Sequence, residues 1–338
     1  MKKNSFIKVV IGLTCFSLIP NFLSALPLSP EIVSGNASIS QLDSNTMVVE
    51  AADQAIINYQ SFNVGYGEKV QFVQPTSSSV VLNRVTGDNG SEILGKLQSN
   101  GKVFLVNPNG VYFGRESQVN VGSLIASSLD ISNADFLNQR FEFFVKSGTE
   151  SSEVVNQGTL SASAEGSVAL ISGNVRNEGV IIANTGKVVL AAGEKVTLDF
   201  VGDGLMQFAV EGQLKEAMIE QTGSIQALEG QVHLAMSSVG KIIQEVINTE
   251  GIVIGTTLVE ENGVIRLTSS SNIRSSVIEI AAREGSTVQV NGSLDVSNQE
   301  GQGGTIHVFG ENLNVIAAEM DASGSVGGGE VLIGGDLY

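Results

Sequence analysis

GTLSASAEGSVAL (158–170), GVIIANTGKVVL (179–190) and GSIQALEGQVHL (223–234) are three copies of one phrase. Each opens on glycine, runs through an apolar pair one residue apart, turns at a second glycine and closes on an alternating strand. Looser copies start at Gly251, at Gly292 and near Met320. Alternation with period two marks a strand, and a strand phrase that returns at a regular interval marks a solenoid. The leading glycines stand 21, 44, 28 and 41 residues apart, which reads as one or two coils per interval with small insertions. In a parallel β-helix each coil turns alternate side chains inward and pairs its backbone with the coils above and below, so no coil is stable alone. About 15 coils rising by roughly 4.8 Å each would make a rod roughly 70 Å long. A β-sandwich also has short strands, but its strands need not repeat a phrase.

Composition points the same way. There are 39 glycines, five prolines, no tryptophan and many β-branched and turn-forming residues, which suits many short strands joined by tight turns. No segment beyond the first 25 residues has a convincing helical period. Those 25 residues read as a secretory signal peptide: Lys2, Lys3 and Lys8, an apolar run from Val9 to Ile19, and a small-residue exit with cleavage expected after Ala25. The run is too short to span a bilayer, and no later segment has 18 consecutive apolar residues. Cys15 is the only cysteine, so the mature chain carries none although it leaves the reducing cytoplasm. After residue 25 there are 15 basic against 35 acidic residues, a net charge of −20. Nucleic acid is therefore excluded as a partner on charge, and a monomer is expected.

The run LVNPNGVYFG (105–114) places a sharp turn inside an apolar stretch. Asn107 can cap the turn with its side chain, Pro108 presets φ, Asn109 tolerates the next position and Gly110 suits the last. The strands Val103–Val106 and Val111–Phe113 then become consecutive faces of one coil.

The surrounding residues carry more. Leu82-Asn83-Arg84-Val85, Ser91-x-Ile93-x-Gly95-x-Leu97, Asn100-Gly101-x-Val103-Phe104-Leu105-x-Asn107-Pro108-Asn109-Gly110, Val121-Gly122 and Ala126-Ser127-Ser128-Leu129-Asp130-Ile131 follow in order within some 50 residues. Upstream, Ile57 to Val64 and Phe72-x-Gln74-Pro75 also fit. Together they closely resemble the two-partner-secretion, or haemagglutination-activity, domain of filamentous haemagglutinins and high-molecular-weight adhesins, well over residues 30–145 and only generically beyond. The resemblance implies a right-handed parallel β-helix, all-β, with an N-terminal cap and small extra-helical hairpins. It divides the chain into a signal peptide (1–25), a two-partner-secretion domain (26–145) and continuing β-helix rungs (146–338). It implies a secreted adhesin exported by a dedicated outer-membrane β-barrel with periplasmic POTRA domains, with a host-cell or other surface receptor possible. The residues that match the motifs read by the transporter are Asn83, Arg84, Asn107, Pro108, Asn109, Gly110 and Val111, though a turn built for stability alone would use the same four-residue corner. Where some branches carry Asn-Pro-Asn-Leu, this chain has Gln74-Pro75-Thr76-Ser77-Ser78-Ser79, which favours the adhesin-like branch over carriers of contact-dependent toxins. The stub of a toxin carrier stays open as an alternative, and a β-helical polysaccharide enzyme as a lesser one.

No catalytic, cofactor or metal site is expected. Gly90–Leu97 imitates a phosphate loop, but Leu97 stands where Ser or Thr would hold Mg²⁺, and Ile93 and Leu97 are expected to point inward. His233 and His307 lie far apart in alternating strands without a ligand cluster, and read as outward polar positions. Gly327 to Asp336 lacks calcium-repeat spacing and reads as turn glycines. Carbohydrate cleavage needs convergent carboxylates, whereas the acids here are scattered. The cluster Phe136, Phe141, Phe143 and Phe144 reads as a hairpin packed over the rod rather than as a binding ledge.

Overall fold

The computed structural model describes residues 25–145, 152–198, 208–211, 217–236, 243–245, 264–267, 271–282 and 287–334. Three stacks of parallel strands wind around one apolar interior. The first face stacks Thr46–Ala51, Lys69–Val73, Lys96–Ser99, Gln118–Val121, Thr159–Ala162 and Val180–Ile182. The second stacks Ala55–Tyr59, Val80–Val85, Lys102–Val106, Ser123–Ser127, Ser167–Ser172 and Lys187–Ala192, and continues to Glu330–Ile333. The third begins with Ser91–Ile93, Val111–Phe113, Glu153–Asn156, Asn174–Asn177 and Met218–Gln221. This is the parallel β-helix that the repeated phrase demands.

Registration follows from the repeat. Val81, Val103, Leu124, Val168, Val188, Val232, Ile278 and Ile306 sit one above another on the second face, all fully buried. A slip by one residue would turn every one of them outward. Ile93 and Leu97 also point inward, fully buried. At a corner of the interior, Asn156 donates to Asn177 and Asn177 to Gln221, each at 2.7 Å, in a short polar ladder with no solvent exposure.

The rod is shorter than its sequence promises. The second face is ten strands deep among the described residues, which at about 4.8 Å per layer is roughly 45 Å rather than 70 Å. Val180 pairs directly with Ser224, so the interval between Gly179 and Gly223 is one coil and not two. The described strands of the surplus, Lys195–Leu198 and Phe208–Glu211, belong to a second sheet beside the rod. Ser224 likewise pairs with Asn272, and the copy expected at Gly251 lies outside the described residues.

The surplus builds a lateral sheet. Asp130–Ile131, Phe141–Phe144, Lys195–Leu198, Phe208–Glu211 and Ile243–Glu245 pair antiparallel as one five-stranded sheet, where separate small hairpins were expected. Phe136, Phe141 and Phe143 are buried against the outer side of the second face, with Leu82, Phe104 and Ile125 in the same cluster. The ring of Phe104 lies 5.4 Å from Phe136 and 5.0 Å from Phe141. Phe136 rides on a helix, Asn133–Leu137, capped by the Ser132 side chain and too short to leave a helical period in the sequence.

The near end is closed as expected. Glu31–Ser34 pairs antiparallel with Ala55–Tyr59, and Ala37–Asp43 folds back on Thr46–Ala51. Inside this end the phenol of Tyr59 is fully buried, its hydroxyl has no partner, and burial pushes its pKa well up.

Candidate functional site

The Asn-Pro-Asn-Gly corner joins the second face to the third. The Gly110 amide donates to the Asn107 carbonyl at 2.9 Å, closing the turn, and the Asn107 carboxamide oxygen accepts from the Asn109 amide at 3.0 Å. The corner is also sewn to the coil below. Asn107 Nδ2 donates to the Asn89 carbonyl and to Ser91 Oγ, both at 3.0 Å, and Asn109 Nδ2 donates to the Gly87 carbonyl at 2.8 Å. Gly110 adopts φ +101°, and a Cβ there would meet the Glu153 carbonyl at 2.8 Å. No other residue fits both demands.

Arg84 works differently. It projects outward from the second face, its side chain 12% exposed, and fastens the start of the lateral sheet. Its Nε pairs with Asp130 at 2.9 Å, one terminal nitrogen donates to Asn133 Oδ1 at 2.7 Å, and the other to the Ile131 carbonyl. Two motif pieces that lie 46 residues apart are thus one contact. Asn83, next to it, points inward with no exposure. Its Nδ2 donates to the Phe104 carbonyl at 3.2 Å, while its Oδ1 is buried without a partner.

Of the seven residues singled out in the sequence, only Asn109 is exposed. Asn83, Asn107, Pro108, Gly110 and Val111 are buried and Arg84 is largely covered. Beside Asn109 an open groove of about 640 Å³ runs along the third face, lined among others by Asn63, Glu92, Tyr112, Glu153 and Arg176. Arg176 stands 3.4 Å from Glu178 and 3.9 Å from Glu153.

The stretch Gln74 to Ser79, where some branches carry Asn-Pro-Asn-Leu, is another knitted corner. Gln74 is buried, accepts from Ser99 Oγ at 2.7 Å and donates to the Ser79 carbonyl at 2.8 Å, while its backbone exchanges two bonds with the Asn100 side chain. Among the described residues no group of three His, Cys, Asp or Glu could hold a metal. His307 faces outward onto Glu330 of the next coil at 2.8 Å. The side chain of His233 lies outside the described set.

A capped parallel β-helix with motif-built corners and a strapped-on lateral sheet is a secretion-domain architecture, as its relatives show. The profile of the TPS secretion domain matches residues 29–280, and the chain belongs to that two-partner-secretion family. The crystal structure of the HMW1 secretion domain from Haemophilus influenzae superposes with a TM-score of 0.74 at 30% identity, over 92% of this chain and 77% of that one. A heme/hemopexin-binding protein of Haemophilus influenzae (strain ATCC 51907 / DSM 11121 / KW20 / Rd) is 34% identical over 209 residues, 60% of this chain and 23% of that protein. A second heme/hemopexin-binding protein of Haemophilus influenzae is 26% identical over 351 residues, 93% of this chain and 37% of that protein. The chain thus spans well under half the length of these two relatives. None of the three is named as an enzyme. The chain is exported through the periplasm and across the outer membrane to the cell surface or the extracellular space, by way of an outer-membrane transporter partner.

Proposed function

We propose that residues 26–145 are read by the transporter's periplasmic POTRA domains while unfolded, and that folding outside then buries the message. The observation that carries this is the burial of the motif: a folded module offers a reader little beyond Asn109. Asn83 adds support. An unpaired carboxamide oxygen in an apolar interior costs stability that leucine would not, so its presence is explained by a demand other than the fold. Beyond residue 145 the described strands continue the rungs and extend the lateral sheet, and their burial outside the cell opposes return of the chain.

The test is binding to the soluble periplasmic part of the transporter, with the module either folded or freshly diluted from urea. At least tenfold tighter binding of the unfolded form is expected, and equal binding by the folded module would overturn the reading. Asn83→Leu sharpens it: the variant should be more stable by about 1 kcal/mol yet less well secreted. Undiminished secretion would remove Asn83 from the message.

For the whole exoprotein we favour an adhesin, on the motif resemblance and the HMW1 neighbour. The names of the two relatives support a second reading, capture of haem or hemopexin. Attachment of the purified exoprotein to epithelial cells, against its retention on immobilised haem-loaded hemopexin, separates the two.

A further inference from the structure

Glu68 is a buried carboxylate, 7% exposed, at the place where the mature chain begins. Its Oε1 accepts from the Ala25 backbone N–H at 2.9 Å and its Oε2 from the Gly65 N–H at 2.8 Å. Among the described residues no lysine, arginine or histidine stands within ion-pair distance of it. The adjacent Lys69 turns its ammonium to Gln71 instead. Leu26, Phe62 and Val64 are buried close by in sequence, and a Cβ at Gly65 would sit tightly against Glu68 at 3.1 Å and Ala25 at 3.3 Å. A carboxylate withdrawn from water calls for a positive partner.

We propose that this partner is the α-ammonium created by leader removal, and that Glu68 is its seat. The proposal rests on the reading of the N-terminal stretch as a cleaved leader, and it places the cut after Ser24, one residue before the cut expected from the sequence. Hydrolysis breaks one amide: water delivers its hydroxyl to the leader's new carboxyl group and a proton to the nitrogen, which takes up a second proton at neutral pH. A cut after Ser24 leaves the ammonium where the Ala25 amide now lies, 2.9 Å from Oε1. In an unprocessed chain the same nitrogen is a neutral amide, and a cap folded from it would close on an uncompensated charge. Processing thereby completes the first coil.

The experiment is a two-by-two cycle with the Glu68 and Glu68→Gln chains, each with a free mature terminus and with a short Gly-Ser extension before Ala25. Removing a tag with a site-specific protease supplies the free terminus, so a failure of transporter recognition leaves the result intact. With Glu68 the free terminus should raise Tm by about 3 °C over the extended chain, and Glu68→Gln should erase that difference. Equal shifts in both forms would overturn the proposal. If Glu68→Gln does not fold, acetylating the terminal amine of the Glu68 chain serves instead: a drop of similar size supports the seat, and no drop overturns it. The mass of the secreted chain gives a third arm: a chain that begins at Ala25 supports the seat, and one that begins at Leu26 or later overturns it.

Discussion

The first and second faces of each coil share one interior and differ in what lies outside. On the first face the strands alternate, as in Gln118–Val121, where every second residue is exposed. On the second face Ser123–Ser127 and Ser167–Ser172 are buried at every position, because the lateral sheet covers them. An uninterrupted apolar strand in a solenoid therefore marks a covered wall, which is why Val103 to Val106 lead so greasily into the Asn-Pro-Asn-Gly corner.

The heaviest blow to this contrast is Phe104→Ala, which empties the seam between the second face and the lateral sheet. It should cost about 3–5 kcal/mol in chemical denaturation, and a loss below about 1 kcal/mol would mean the sheet is a loose appendage. Arg84→Met keeps the bulk and removes the strap to Asp130, Asn133 and Ile131. A loss of about 2 kcal/mol is expected, together with faster proteolysis in the lateral sheet than in the rod. Tyr59→Phe probes the interior behind the second face and should stabilise by about 1 kcal/mol by deleting an orphaned hydroxyl. Because burial raises the Tyr59 pKa, its protonated state favours folding fully below the ordinary phenol value of about 10, and that contribution is lost as pH climbs toward the folded value. The alkaline unfolding of the wild-type chain should lessen in the Phe variant. Least of all, Asn120→Ala, exposed on the open first face, should stay within about 0.5 kcal/mol, and a larger change there would erase the distinction between the faces.

The repeated phrase made the coil legible, since period-two alternation and glycine corners are local properties. The coil count was not, because an insertion that returns to the same register looks like another turn until Val180 is seen beside Ser224. The lateral sheet draws strands from segments far apart, and nothing local in Lys195–Leu198 announces its partner Phe141–Phe144. Arg84 and Asp130 were visible as motif members and invisible as a pair for the same reason. The polar ladder could have been found: Asn156, Asn177 and Gln221 each stand two residues before a leading glycine, Gly158, Gly179 and Gly223, a regularity inside the repeat that went unread.

The lateral sheet also keeps time. Its described strands leave the rod in three excursions, after Ser127, Ala192 and Met236, with Ile243–Glu245 last, so the sheet's last edge waits until more than two hundred residues have emerged. With folding outside the cell as proposed, a sheet assembled from such distant pieces is the part of the module that closes late.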